Sequence, residues 1–325
     1  MRSIGHDTFG APEEVLTTRE VPAPEAGPGE VLVRTVLAPI HNHDLVTVTG
    51  TYGVRPELPA VGGTEAVGVV QAVGEGVNDA LVGRRVSVAG TPGTWAELFV
   101  ASAATVIPVP DAMSDEAAAQ LVAMPFSAIS LVEFLDVEAG DWVVQTAANG
   151  AVGKVVAVLA KARGLKLLNL VRRQEAVAGL AALGIEDVVA TDSPDWVEQA
   201  QAIIGEDGAR AAVDSVGGEV GGALVHLLGE DGLLVTFGAA SNQPLVINSG
   251  PVIFKHLRVV GFWGAKVSAR MSDEDRARLF GELIQLVLDG SLVLTSGGTF
   301  GLDDPAGAVG ASQSAGRSGK IMFRP

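Results

Sequence analysis

Gln145-Thr146-Ala147-Ala148-Asn149-Gly150-Ala151-Val152-Gly153 is the stretch that decides the fold. An apolar run over 142–146 leads into it and reads as a strand. An amphipathic run over 152–163 leads out of it and reads as a helix. A strand that turns through glycines into a helix N-terminus is where a dinucleotide pyrophosphate meets backbone amides. Gly150 lets the backbone approach phosphate, and Gly153 lets the helix pack closely on the strand. Ala148 stands at the first glycine of the usual G-x-G-x-x-G, so the motif is A-x-G-x-x-G. Tight strand–helix turns also contain glycines for steric reasons alone, and it is the surrounding βαβ pattern that favours binding.

That pattern continues toward the C-terminus. Strands are expected over 167–171, 188–190, 211–214 and 233–238. Helices are expected over 175–183, 196–204 and 220–228. Alternation at this spacing implies right-handed βαβ units and a doubly wound parallel sheet. Strand 167–171 ends in Val171-Arg172-Arg173. A binder of the non-phosphorylated dinucleotide carries an acid there for the ribose hydroxyls. Two guanidiniums suit a 2′-phosphate instead, which selects NADPH. The plainer alternative is a solvated arginine pair beside Glu175.

On the N-terminal side the texture differs. Strands are expected over 30–37, 66–73, 85–89 and 96–100, separated by Gly and Pro. Ser114-Asp115-Glu116 looks like a helix start. The helix over 117–123 is expected to break at Pro125 and resume over 128–135. After the parallel sheet, a helix over 272–288, a strand over 292–295, a helix over 305–314 and a strand over 320–324 close the chain. The expected fold class is α/β, with a β-rich domain over 1–115 and 265–325 and a Rossmann domain over 116–264.

Composition narrows the function. The chain has 325 residues, a net charge of −16 and no cysteine. Such acidity disfavours nucleic acid and anionic lipid as partners. Without cysteine there is no disulfide, thiol catalysis or Cys-ligated metal. The N-terminus lacks the apolar core of a signal peptide, and no apolar run reaches the ~20 residues of a membrane span. A cytoplasmic protein is expected.

Two further segments join the glycine turn in carrying a family resemblance. One is Gly50-Thr51-Tyr52-Gly53-Val54-Arg55-Pro56-Glu57-Leu58-Pro59-Ala60-Val61-Gly62-Gly63-Thr64-Glu65. The other is Ile253-Phe254-Lys255-His256-Leu257-Arg258-Val259-Val260-Gly261-Phe262-Trp263. With them the chain resembles the medium-chain dehydrogenase/reductase superfamily along essentially its whole length. Within it, the chain is similar to the zinc-independent quinone oxidoreductases and 2-enoyl thioester reductases. The resemblance implies a GroES-like catalytic domain beside the Rossmann domain, and a homodimer. Zinc relatives carry an early Cys ligand and Gly-His-Glu where this chain has Gly63-Thr64-Glu65, so no metal is expected.

The family's catalytic tyrosine falls on Tyr52, the single Tyr of the chain. A phenol there would hydrogen-bond the substrate carbonyl and stabilise a developing enolate. The family usually shows Asn-Pro-Ser-Asp where this chain has His41-Asn42-His43-Asp44. Asp44 is retained and His41 is a candidate pocket residue, with a structural hydrogen bond in a turn as the alternative. The roles of His41 and His43 and the exact substrate stay open at this point. The resemblance also implies cofactor contacts from Ser127, from Ala148, Asn149, Gly150, Ala151, Val152 and Gly153, from Arg172 and Arg173, and from Val216 and Gly217. Phe237, Gly238, Phe262, Trp263 and Lys320 complete that set; for Trp263, core packing or an interface role is the alternative. The implied activity is hydride transfer from NADPH to an activated C=C of an enoyl thioester, enone or acrylate-like substrate. NADPH:quinone reduction and a non-catalytic NADPH-binding protein are the alternatives.

Overall fold

Six strands form one parallel sheet in the order Val188–Ala190, Lys166–Val171, Trp142–Gln145, Ala209–Asp214, Leu228–Thr236, Arg258–Gly261. The sequence of strands moves outward from Trp142–Gln145 in one direction and then jumps back to its other side. That reversal makes the crevice between Trp142–Gln145 and Ala209–Asp214 the topological switch point, where doubly wound sheets bind ligands. The computed structural model describes residues 1–314 and 319–325.

The chain divides into two compact units, Met124–Leu283 and Met1–Ala123 with Ile284–Pro325. The crossing points therefore lie at 123/124 and 283/284, where the sequence reading puts them at 115/116 and 264/265. Two contacts account for the difference. Glu65 accepts hydrogen bonds from the amides of Val122 and Ala123, which holds that segment to the first unit. Phe280 stacks on Phe126 with ring centroids 4.3 Å apart, which holds most of helix Asp273–Leu288 to the second.

Several elements differ from expectation. Pro125 does not break a helix: it sits in the first turn of Ala123–Leu135, where its missing N–H has no intrahelical partner to lose. The strand expected over 292–295 is instead Ser296–Phe300, whose two glycines hide it from a propensity reading. Helix Gly218–Ala223 and a 3₁₀ turn over Leu224–His226 replace the single helix over 220–228, and the next strand starts early, at Leu228.

The other unit is mostly antiparallel. Its larger sheet runs Ser296–Phe300, Lys320–Phe323, Glu30–Pro39, Glu65–Val73, Arg85–Ala89, Ile107–Pro108, with Leu98–Ser102 also on Glu30–Pro39. A smaller sheet joins Thr17–Glu20, Arg2–His6 and Ala60–Val61. The pairs Met322↔Pro39 and Phe323↔Ala38 bring the C-terminal strand onto the N-terminal sheet. Ile4, Val33, Val88, Trp95 and Phe323 form the fully buried centre of this unit. Trp95 packs edge-on against Phe323 and donates Nε1–H to the Pro39 carbonyl at 3.1 Å.

Candidate active site

Trp95 also fixes the backbone that carries the candidate site. A Cβ at Gly62 or Gly63 would overlap its indole, and Gly63 has φ +85°, which L side chains rarely adopt. The Val61-Gly62-Gly63 turn thus lies flat on a buried ring, and Thr64 and Glu65 follow at the start of strand Glu65–Val73. Facing them is helix Asn42–Val48, with His41 as its N-cap. Asp44 accepts the His41 amide at 2.9 Å through Oδ2, the closing half of a capping arrangement.

Around this frame the side chains are paired closely. His41 Nε2 lies 2.6 Å from Glu65 Oε2, with both residues essentially fully buried. Glu65 Oε1 accepts the amides of Val122 at 2.8 Å and Ala123 at 2.6 Å. Thr64 Oγ1 donates to Asp44 Oδ1 at 2.7 Å, and His43 Nε2 lies 2.8 Å from Thr64 Oγ1. The His41 and His43 rings stack with centroids 5.0 Å apart and 9° between planes, and the Tyr52 ring lies 6.0 Å from that of His43. Tyr52 is 40 % exposed.

Burial decides the proton balance of the buried pair. Desolvation pushes the His41 imidazole down to about 3, against the charge of Asp44. Desolvation also pushes the Glu65 carboxyl up to about 7, against the two backbone amides and the charge of Lys320. The contact has ion-pair spacing, yet burial on both sides favours the neutral forms. His41 Nδ1 has no hydrogen-bond partner among the described residues, which costs less on a neutral ring than on a charged one.

The parallel-sheet unit carries the expected dinucleotide features. Gly150 caps helix Ala151–Ala162 without a side-chain hydrogen bond, so the first helical amides keep their donors free for an anion. A Cβ on Gly153 would lie 2.7 Å from both Ala148 Cα and Ala148 O, so the close approach needs glycine. Ala148 and Gly153 are buried, while Asn149 and Ala151 are exposed and Gly150 and Val152 half-buried. Across the switch point, the Thr146 hydroxyl donates to Asp214 Oδ1 at 3.1 Å and accepts the Ser215 amide at 2.7 Å. The Asp214 carboxylate then accepts the amides of Val216 and Gly217, both at 2.9 Å. Phe237 and Gly238 donate their amides to the Asp214 carbonyl, which brings a second loop to the same strand ends.

Arg172 and Arg173 follow strand Lys166–Val171, exposed and without an ion pair among the described residues. Near the other edge, Phe134, Thr236, Phe262, Trp263, Lys266 and Arg270 line a cavity of about 450 Å³. Phe262 is buried in the core of its unit, whereas Trp263 is 55 % exposed, which removes core packing as the account of Trp263. A Cβ on Gly264, next to Trp263, would lie 3.2 Å from Ser127 Oγ. Lys320 lies on the C-terminal strand, in the unit of His41 and Glu65, and its charge acts on both. Among the described residues no group of three or more His, Cys, Asp or Glu is arranged to hold a metal ion.

Two family models match these units: an alcohol dehydrogenase GroES-like domain over residues 27–111 and a zinc-binding dehydrogenase over 151–279. Curated relatives include mitochondrial enoyl-[acyl-carrier-protein] reductases. The one from Caenorhabditis elegans is 32 % identical over 90 % of this chain and 86 % of its own length. The one from Homo sapiens is 31 % identical over 96 % of this chain and 85 % of its own. The chain belongs to the medium-chain dehydrogenase/reductase superfamily. Within it, the chain falls in the zinc-independent branch of quinone and enoyl reductases. Among solved structures, a putative NADPH:quinone reductase from Bacillus thuringiensis superposes with a TM-score of 0.92 at 30 % identity, over 100 % of this chain and 98 % of that one. The Escherichia coli quinone oxidoreductase, solved with NADPH, gives 0.88 at 26 % over the whole of both chains.

The structure adds three residues to the expected set: Glu65, Thr64 and His43. Thr64 was visible in the sequence only as the residue in place of a zinc ligand, and Glu65 only as its neighbour. What makes them part of the site is their spatial return to His41, Asp44 and the start of helix Ala123–Leu135.

Proposed function

We propose that this protein is an NADPH-dependent oxidoreductase that reduces an activated C=C, in an enoyl thioester, an enone or an acrylate-like acid. The observation that carries the reading is the pairing of two features. One is an uncapped helix behind a glycine turn at a topological switch point. The other is a single exposed phenol, Tyr52, set beside a hydrogen-bonded His–Thr–Asp group.

The residues fit the cofactor. Ala151, Val152 and Gly153 would offer backbone amides to the pyrophosphate, and the Val216–Gly217 and Phe237–Gly238 loops converge on the same strand ends. Arg172 and Arg173 would take the 2′-phosphate, with no acid at the strand end to prefer a ribose hydroxyl. Bound NADPH supplies a hydride. Tyr52 would donate a hydrogen bond to the carbonyl oxygen on which charge develops, and Asp44 holds the loop geometry behind it. With Thr64 in place of a zinc-ligating histidine, simple alcohol oxidation has no group here to lower an alcohol's pKa.

Quinone reduction is the second reading, favoured by the structural neighbours described as quinone reductases. The first experiment follows NADPH oxidation with a short enoyl-CoA, a simple enone, a 2-haloacrylate and a benzoquinone, with NADH as control. NADPH-selective turnover of an enoyl or enone acceptor supports the main reading. Turnover of the quinone alone moves the protein to the second, and binding without turnover of any acceptor makes it a non-catalytic NADPH-binding protein.

The reading includes a homodimer. Strand Arg258–Gly261 closes one edge of the parallel sheet, and Val259 on it and Ile253 and Phe254 just before it are exposed. A second copy pairing antiparallel along this edge would satisfy its free backbone groups and cover those side chains. It includes a small-molecule substrate, with no nucleic acid or membrane partner, which suits a net charge of −16. Among the described residues no helix is long and apolar enough to cross a membrane. A cytoplasmic location is part of the same proposal, and cell fractionation tests it.

A further inference from the structure

The hydrogen-bond directions around Thr64 determine which nitrogen of His43 is engaged and which is left open. Thr64 has one hydroxyl proton, and it is donated to Asp44 Oδ1 at 2.7 Å. The contact between Thr64 Oγ1 and His43 Nε2 at 2.8 Å therefore has Nε2–H as donor. Asp44 is held as an acceptor on both oxygens, by Thr64 and by the His41 amide. It lies 3.4 Å from His43 Nε2. Nδ1 of His43 makes no hydrogen bond to any described residue, and a quarter of the side chain stays open to solvent. A ring held by Nε2–H, backed by a carboxylate and free at Nδ1 is built to give and take a proton at Nδ1.

We propose that His43 is a proton relay behind Tyr52, positioned by Thr64 and Asp44, that replaces the proton Tyr52 gives up during reduction. The role rests on the reductase reading above. Reduction of an enone or enoyl thioester adds one hydride and one proton. A bound reduced nicotinamide would supply the hydride for the new C–H bond at the β-carbon. The C=C π pair moves toward the carbonyl, and the carbonyl π pair settles on oxygen. Tyr52 O–H passes its proton to that oxygen. The phenolate then takes the proton from His43 Nδ1, directly or across one bridging water, a span consistent with ring centroids 6.0 Å apart. His43 is left neutral with Nε2–H still on Thr64, and solvent reloads Nδ1. The enol moves its proton to the α-carbon through solvent, so the sum is one hydride and one proton gained by the substrate.

The groups facing His43 are Asp44 on its own helix, the stacked His41 at the N-cap, Tyr52 on the following loop, and Thr64 and Glu65 on the strand opposite. Lys320 on the C-terminal strand acts on His41 and Glu65. Of the two stacked histidines, His41 is buried, so solvent reaches the group through His43.

The test uses the full chain with His43→Gln and His43→Ser. Gln keeps a donor for Thr64, and Ser is the residue the family usually places here. Imidazole nitrogen NMR of the ligand-free protein, with His43 assigned by its loss in His43→Gln among five histidines, should show the Nε2–H tautomer. With an acceptor that the wild type turns over, both variants should lose about 10²-fold in kcat, the lower end for a lost proton donor, with KM values within about twofold. The wild type should show an alkaline descending limb in its kcat profile, and both variants should lack it. An Nδ1–H tautomer, or a wild-type kcat and pH profile in either variant, overturns the relay while leaving the reductase reading intact. A wild type inactive with every acceptor overturns the reductase reading and this role with it.

Discussion

Removing the charge of Glu65 should change how stability depends on pH, in a direction fixed by its burial. Folding raises the Glu65 carboxyl from an ordinary 4.5 to about 7, chiefly through desolvation. Between those values the folded chain holds a proton on Glu65 that the unfolded chain has released. The contribution of Glu65 to stability is therefore fully present below about 4.5 and is lost as pH rises through about 7. Integrated from pH 5 to pH 6, the loss is about 1.2 kcal/mol, at roughly 1.36 kcal/mol per unit of fully differential protonation. His41 works in the opposite sense. Its folded value of about 3, against 6.5, makes its contribution present above about 6.5 and lost as pH falls toward 3, by about 1.2 kcal/mol from pH 6 to pH 5. The two cancel in the wild type, because the pair holds one proton in either state across this interval. Glu65→Gln uncouples them while its side-chain oxygen can still accept the amides of Val122 and Ala123. The assay is urea unfolding of both proteins at pH 5 and pH 6 and equal ionic strength, with the m-value checked for constancy. The other acidic residues drop out of the difference. The stability advantage of the wild type over Glu65→Gln should shrink by about 1.2 kcal/mol between pH 5 and pH 6. An advantage that stayed constant would mean that Glu65 carries the same proton load folded and unfolded. One that grew would mean that the folded chain holds less proton on Glu65 than the unfolded chain does. Either result refutes the desolvation argument.

Other perturbations follow from the same geometry. Tyr52→Phe should lower kcat by on the order of 10²-fold and leave NADPH affinity unchanged, since the phenol acts on the substrate oxygen; equal turnover in stopped-flow removes Tyr52 from the reaction. Arg172→Ala with Arg173→Ala should weaken NADPH binding by roughly 10- to 100-fold per lost charge-assisted bond and spare NADH, as read by cofactor fluorescence. Gly153→Val should abolish NADPH binding, because its Cβ would meet backbone atoms of Ala148 at 2.7 Å rather than a side chain that can move aside; isothermal titration checks it. Val259→Lys on the free sheet edge should convert a dimer to a monomer in sedimentation, and a monomeric wild type would remove the edge-pairing proposal.

The parallel sheet was legible because its signals are local. Each strand is a short apolar run, each helix carries a 3.6-residue pattern, and Gly150 and Gly153 mark the turn between them. Arg2–His6 and Thr17–Glu20 were not legible, since their side chains alternate weakly and their pairing is with each other and with a segment forty or more residues away. Ser296–Phe300 contains Gly297 and Gly298, which a propensity reading assigns to a turn. A Cβ on Gly297 would press on the Gly319 backbone, so this glycine permits the pairing with the C-terminal strand. Helix Asn42–Val48 was hidden by two histidines and an asparagine at its start, residues that the sequence offers as ligands or turn formers before it offers them as a cap.

The candidate site shows why residue type alone could not sort its members. Asp44 and Glu65 are both buried carboxylates, each accepting N–H and neighbouring a histidine. Their surroundings assign them opposite tasks. Asp44 sits in the first turn of a helix, where it accepts the His41 amide, and the Thr64 hydroxyl completes its shell. Its Oδ1 lies 3.4 Å from His43 Nε2. Glu65 lies deeper and spends one oxygen on the backbone amides of Val122 and Ala123 in its own unit, so its role is to fix position while its carboxyl resists ionisation. The histidines divide the same way: His41 is sealed against Glu65, and His43 keeps one nitrogen toward solvent and its ring toward Tyr52. Thr64 makes the separation possible. At the position where zinc relatives carry a histidine, a hydroxyl accepts from His43 and donates to Asp44 at once, which ties together the two side chains of the proposed relay.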